Sequence, residues 1–428
     1  MPLPRRTAPG CAWLVLVGWS AVFLLTQSAP SARLQADRVR RFTRPIEFDF
    51  AGWTAEAAWA KLAASSLSLA DYLQEEDRSR LVREYAQRVD RTSFLQTDLA
   101  VRLGGTQGQA DAETRAIQHE QSRLRQEMAG LQPVVESILQ EQVAVVLADL
   151  GLGAGGLVAP PVAFRFTELP LALIVSPRSV IRQDADIQID AGLDIPERID
   201  LEQQVERQMD VSALVVPVGG IGTYPTMVME SGTIGWLVDV VSHEWAHNYL
   251  TLRPLGLNYE TTPETRTMNE TAASLWGGLV GTKVLQRYYP DLAPPPPAPE
   301  GSLSPETAPP APPPAFDFRA EMRDTRLTVD RLLEQGKIKE AEAYMEARRQ
   351  VFNQQGYDLR RLNQAYFAFH GAYADEPGGA AGADPVGAAV RRLWELSQSP
   401  AAFLRRMARM NSFDDLQRAL RQDDPLSP

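Results

Sequence analysis

Cysteine is almost missing from this chain: Cys11 is the only one among 428 residues. An internal disulfide is therefore excluded, and stability has to come from a packed core or from a bound ion. Positive charge is also short. With 43 Lys+Arg against 54 Asp+Glu the net charge is −11, so the bulk of the protein would be repelled by nucleic acid or by an anionic membrane surface. The glycine-rich stretch from Gly219 to Pro225 does not open a helix with GxGxxG, so it does not fit a dinucleotide or phosphate-loop pattern. Histidine is scarce too, with four residues in all. Two of those four stand four positions apart.

His243-Glu244-Trp245-Ala246-His247 places two imidazoles at helical spacing with a carboxylate directly after the first. At about 3.6 residues per turn both rings share one helix face, where they can hold one zinc ion. Glu244 then points at an open ligand position, and a carboxylate there can take a proton from a water polarised by the ion. Upstream, Leu237, Val240 and Val241 give the apolar spacing of a buried helix, and Pro254 and Gly256 follow its end.

A zinc hydrolase needs a third protein ligand. The reading here is Glu270, opening a second helical pattern with Leu275, Leu279 and Leu285 that continues to about Tyr289. Glu260, Glu264 and a further histidine are the alternatives. The first two fall in the stretch from Tyr259 to Thr267, read as a loop that fixes a carboxylate less well than a packed helix.

His-Glu-x-x-His followed by Asn-Glu-x-x-Ala resembles the gluzincin metallopeptidases, the clan of thermolysin and the zinc aminopeptidases. The resemblance covers about fifty of the 428 residues. It implies that His243, His247 and Glu270 bind Zn2+ and that Glu244 is the general base. Thermolysin-like members carry an Asp four residues after the ligand Glu as a partner for a zinc histidine, whereas this chain has Ser274 there. Asp239 and Asn269 are the candidates for that role. In layout the chain is also similar to bacterial proteins described as aminopeptidases, whose zinc motifs precede a helical segment with an Asn-containing motif.

Compartment is read from the N-terminus. Arg5 and Arg6 precede an apolar run from Cys11 to Leu25, and small residues follow through Ala32. Residues 1–32 read as an uncleaved anchor or a cleaved signal, with the anchor favoured because Pro30 interrupts the cleavage sites. Either one exports the remainder.

Residues 33–150 carry helical spacing, interrupted at Pro133, with His119 on a polar face. Residues 151–290 form the metallopeptidase core. Short runs at Val162–Phe166, Leu171–Val175, Ile187–Ile189 and Ala213–Val216 read as strands of a small sheet beside the two zinc helices. The glycine-rich stretch Gly219-Gly220-Ile221-Gly222-Thr223-Tyr224-Pro225 reads as a substrate-lining edge, with Gly219, Gly220 and Tyr224 in contact with the bound chain. Residues 291–315 are a Pro-rich linker. Residues 316–428 form a helical C-terminal region that completes the cleft. In it, Asn363, Tyr366, His370 and Tyr373 fall on one helical stripe, with Tyr366 and His370 as oxyanion donors and Asn363 and Tyr373 positioning substrate.

The expected fold is α+β and predominantly helical. The expected function is hydrolysis of a peptide or protein substrate by an exported, membrane-anchored zinc peptidase without nucleic-acid partners. Exopeptidase and endopeptidase both remain open. So do a zinc hydrolase of a non-peptide bond and a catalytically silent zinc protein serving envelope assembly.

Overall fold

A computed structural model of the chain describes residues 34–65, 72–105, 112–154, 157–295, 316–374 and 379–423. Residues 1–32, read from the sequence as an export segment, and the Pro-rich stretch from residue 296 to 315 lie outside them. Among the described residues no helix is long and apolar enough to cross a membrane.

The fold is α+β and predominantly helical. Helices α1 (Leu34–Thr43), α2 (Phe50–Ser65), α3 (Glu75–Gly105) and α4 (Ala112–Leu147) come first. Pro133 does not interrupt α4, contrary to the sequence reading. A proline inside a helix costs about 3 kcal/mol, and the complete burial of Val135, Ile138 and Leu139 just beyond it outweighs that.

The strands are short, and they form three sheets where a single one was expected. Strands β1 (Gly153–Ala154) and β2 (Leu157–Val158) make a two-stranded ladder. A second sheet runs in the order β3 (Phe164–Phe166), β8 (Thr226–Val228), β7 (Gly220–Ile221), with β7 at its edge. The third has β4 (Leu171–Pro177) between β5 (Ala185–Ile189) and β6 (Val211–Pro217), all antiparallel. Between β5 and β6 lies α5 (Ile195–Met209), started by a capping box in which Asp194 and Glu197 bond each other's backbone N–H.

Helices α6 (Ile234–Leu250), α7 (Pro254–Leu257) and α8 (Pro263–Tyr288) follow, and α6 packs along α8. At Gly277 of α8 a Cβ would stand 2.8 Å from the carbonyl oxygen of Asp239 and 3.1 Å from the Cβ of His243, so glycine is what permits this close approach. On the other side of α6, the Trp245 indole N–H donates to Pro160 O at 2.8 Å and the Asn248 amide to Thr226 Oγ1 at 2.9 Å. These bonds fix the rotation of α6 against β8.

Among the described residues that follow, the α-helices are α9 (Phe318–Glu334), α10 (Ile338–Gln354), α11 (Gln364–His370), α12 (Pro385–Leu396), α13 (Pro400–Met407) and α14 (Phe413–Asp423). Val390, Leu393, Phe403 and Leu404 join the apolar cluster that holds Trp245, Trp276 and Ile138. Helix α11 lies on the β4–β6 face, with Ala365 and Phe369 against Ala172, Ile174 and Leu214. Past the linker, the chain therefore returns into the same core.

Candidate functional site

One turn of α6 separates His243 from His247, and their Nε2 atoms lie 3.0 Å apart. Glu270 comes from α8. Its Oε2 is 3.5 Å from His243 Nε2 and 3.6 Å from His247 Nε2. Donors bound at about 2.0–2.2 Å around a tetrahedral ion are separated by about 3.3–3.6 Å. The three side chains could therefore hold a metal ion. Glu270 Oε2 adds the sharper test, because it is buried and accepts no hydrogen bond, and a bare carboxylate oxygen is costly unless a cation completes it.

Both imidazoles are turned correctly for this. His247 Nδ1 lies 2.8 Å from Asn269 Oδ1, an acceptor only, so Nδ1 donates to it and Nε2 is the nitrogen turned toward Glu270. His243 Nδ1 lies 3.5 Å from Ser274 Oγ. Ser274, in the place of the expected Asp, thus faces the ring itself, while Asp239 turns toward α8 at Gly281. Glu270 does not open its helix, as the sequence suggested. Helix α8 starts at Pro263, where Thr262 and Thr265 form a capping box, so Glu264 is helical as well.

Charges in the site are strongly coupled. Burial works against ionisation of Glu270, but His247 and His243 together outweigh it and hold the carboxyl well below its usual range. Burial also opposes the charge on His247, yet Glu270 lifts it to about 9. Glu244 is raised by burial, with His247 and His243 pulling the other way.

The glycine-rich stretch runs directly over the motif. A Cβ on Gly220 would stand 2.7 Å from Glu244 Oε1, and one on Gly222 would stand 3.3 Å from the Cβ of His247. Strand β7 stands at the edge of its sheet, paired on one side by β8, and runs next to the buried Glu244. Gly219 sits farther along, against Trp236. Tyr224 does not reach this cleft. It is fully buried, and its hydroxyl donates to Pro161 O at 3.0 Å.

The C-terminal stripe is broken. Helix α11 stops at His370 and Gly371 caps it, so Tyr373 is no longer in helical register with Asn363. Asn363 is the N-cap: its Oδ1 accepts from Tyr366 N at 3.0 Å and its Nδ2 donates to Ala213 O at 2.9 Å. Both ends of that amide serve the fold. Tyr366 packs on the sheet beside Phe367 and His370 and is raised to about 12 by burial alone. His370 is held neutral, pushed down to about 4 by burial and then by Arg266. Tyr373 is the member that faces the metal donors, its ring 6.3 Å from that of His243 and tilted by 29°. Tyr373 is 36% exposed as a residue, while desolvation of its hydroxyl and then the Glu270 charge push that group above its usual range, so it remains a proton donor.

Two groups at the site carried no signal in the sequence. Tyr259, in the turn after α7, donates its hydroxyl to Glu270 Oε1. Arg266, one turn before Glu270, is buried and donates to Ala368 O at 3.0 Å, tying α8 to α11. Comparison with protein-family models, with curated proteins and with solved structures yields no match for this chain.

Proposed function

We propose that this chain is a zinc-dependent peptidase of gluzincin type, exported and held at the membrane by its N-terminal segment. The observation that carries the reading is the buried Glu270 Oε2, without a hydrogen bond, between two imidazole Nε2 atoms, with Glu244 on the same helix as both imidazoles and against the edge strand β7. Two nitrogens and one oxygen with a position left open is a donor set that suits catalytic zinc. When bound, zinc supplies Lewis acidity and brings the pKa of a water it polarises down to about 7.

The chain's own residues do the rest. An extended peptide lies along β7, hydrogen-bonded to backbone that glycine keeps free of side chains beside Glu244. Glu244 takes the proton of the attacking water and passes it to the leaving amine. Tyr373 donates a hydrogen bond to the oxygen that gains charge at the scissile carbonyl, in place of Tyr366 and His370. Export and anchoring rest on the composition of residues 1–32.

Cleavage of a peptide library by the zinc-loaded protein tests this reading. Cleavage should stop on chelation, return with zinc, and fall by about 10²–10⁴-fold in Glu244→Gln at unchanged zinc content. Cleavage that persists in zinc-loaded Glu244→Gln refutes the mechanism. Zinc binding without hydrolysis of any peptide refutes the activity, and turnover confined to esters moves it to another bond.

A further inference from the structure

Glutamate can offer a metal ion one oxygen or two, and the second would take the position a catalytic site must leave open. Glu270 is presented asymmetrically. Its Oε2 faces both imidazoles without a hydrogen bond, whereas its Oε1 accepts one from the Tyr259 hydroxyl. We propose that Tyr259 is a positioning residue that occupies Oε1 and so keeps Glu270 a one-oxygen ligand, holding the fourth position open for the reaction. This rests on the metal-site reading above.

The geometry around Tyr259 suits such a clamp. A phenol hydroxyl beside a carboxylate oxygen acts as the donor, and here it is directed at Oε1 alone. Its backbone is fixed by the turn between α7 and α8, where Tyr259 N donates to Gly256 O at 3.1 Å and Thr265 Oγ1 to Asn258 O at 2.7 Å. Its ring stands edge-on to His247, with centroids 6.1 Å apart and planes at 88°. The carboxylate is therefore held from the loop side at Oε1 while α8 carries it, and turning Oε1 toward the imidazoles would break the Tyr259 hydrogen bond. A side chain that served packing alone would leave the number of metal donors unchanged when its hydroxyl is removed.

X-ray absorption at the zinc edge of the full-length protein, with the visible spectrum of its cobalt(II)-substituted form, tests the clamp. Wild type should show about four light donors, only one of them from a carboxylate, and the intense cobalt bands of a four-coordinate ion. In Tyr259→Phe the carboxylate should turn to bind through both oxygens, so that the donor count rises, the cobalt bands weaken several-fold, and zinc affinity falls about 10- to 100-fold. An unchanged donor count and cobalt spectrum in Tyr259→Phe overturn the proposal, and so does a two-oxygen Glu270 in wild type, a result that needs no variant to fold. If peptides are still cleaved in either case, only the clamp fails. If zinc remains bound after His243→Ala and Glu270→Ala, the metal site itself has been misread.

Discussion

Gly220→Ala separates the chemistry from the fold. The backbone tolerates alanine, because Gly220 is not among the residues with positive φ and its pairing with Val228 uses main-chain atoms. What an added Cβ meets is the Glu244 side chain, at 2.7 Å from Oε1, 2.9 Å from Cγ and 3.0 Å from Cδ. Ordinary contact begins at 3.4 Å, so the carboxylate must retreat by about 0.7 Å. The stability cost should stay near 1–2 kcal/mol, since the obstacle is the end of a side chain rather than backbone. Turnover should suffer more. A general base displaced by that much sits outside the tolerance of about 0.5 Å that catalysis requires, and a misplacement of about 1 Å can cost 10²-fold. The expected result is a turnover loss of about 10- to 100-fold at full zinc content, read from peptide cleavage alongside metal analysis and thermal melting. Wild-type turnover in zinc-loaded Gly220→Ala would show that Glu244 does not act where the structure holds it.

Two further substitutions probe the site. Glu270→Ala should abolish retention of zinc through dialysis whereas Glu264→Ala should not, because only Glu270 faces the imidazoles; metal loss in the Glu264 variant alone reverses the assignment. Tyr373→Phe should lower turnover by about 10²–10³-fold without loss of metal, while Tyr366→Phe should change it little; the opposite ranking in steady-state assays returns the oxyanion role to α11.

What could be read from the sequence was local. The pairing of His243 with His247 follows from helix periodicity, whereas Glu270 is preferred to Glu264 on the ground that a packed helix fixes a carboxylate better than a loop, a ground that fails because both lie on α8. Helix α5 went unread although Asp194, Pro196 and Glu197 form a start signal visible in the letters. Strands β7 and β8 are a different case, since two- and three-residue strands exist only through partners such as Phe164–Phe166, far away in the chain. The same holds for Tyr259, whose role depends on where a turn places it against Glu270. Tyr373 was singled out by an offset of ten residues in an assumed continuous helix. It reaches His243 because Gly371 ends that helix early.

Neutral partners behind the histidines follow from a charge balance. Glu244 and Glu270 bring two negative charges into a buried site whose imidazoles are neutral when they ligate, and a divalent cation matches them. An Asp at position 274 would add a third charge, whereas Ser274 and Asn269 accept from the rings without one. In the metal-free protein a protonated His247 offsets only one of the two charges, and Glu244 is then a buried carboxylate whose pKa lies above its ordinary 4.5 because of desolvation. A carboxyl raised in the folded state contributes stability below its unfolded pKa that is lost as pH climbs through the folded value. Glu244→Gln removes that charge, so under chelation the variant should be more stable than wild type at neutral pH by about 1–3 kcal/mol, with the gap closing as pH falls toward 4.5. Thermal melts with and without chelator across that range measure it. A metal-free Glu244→Gln protein that melts below wild type at neutral pH would mean that Glu244 helps hold the helices together, and that its burial is not a strain kept for catalysis.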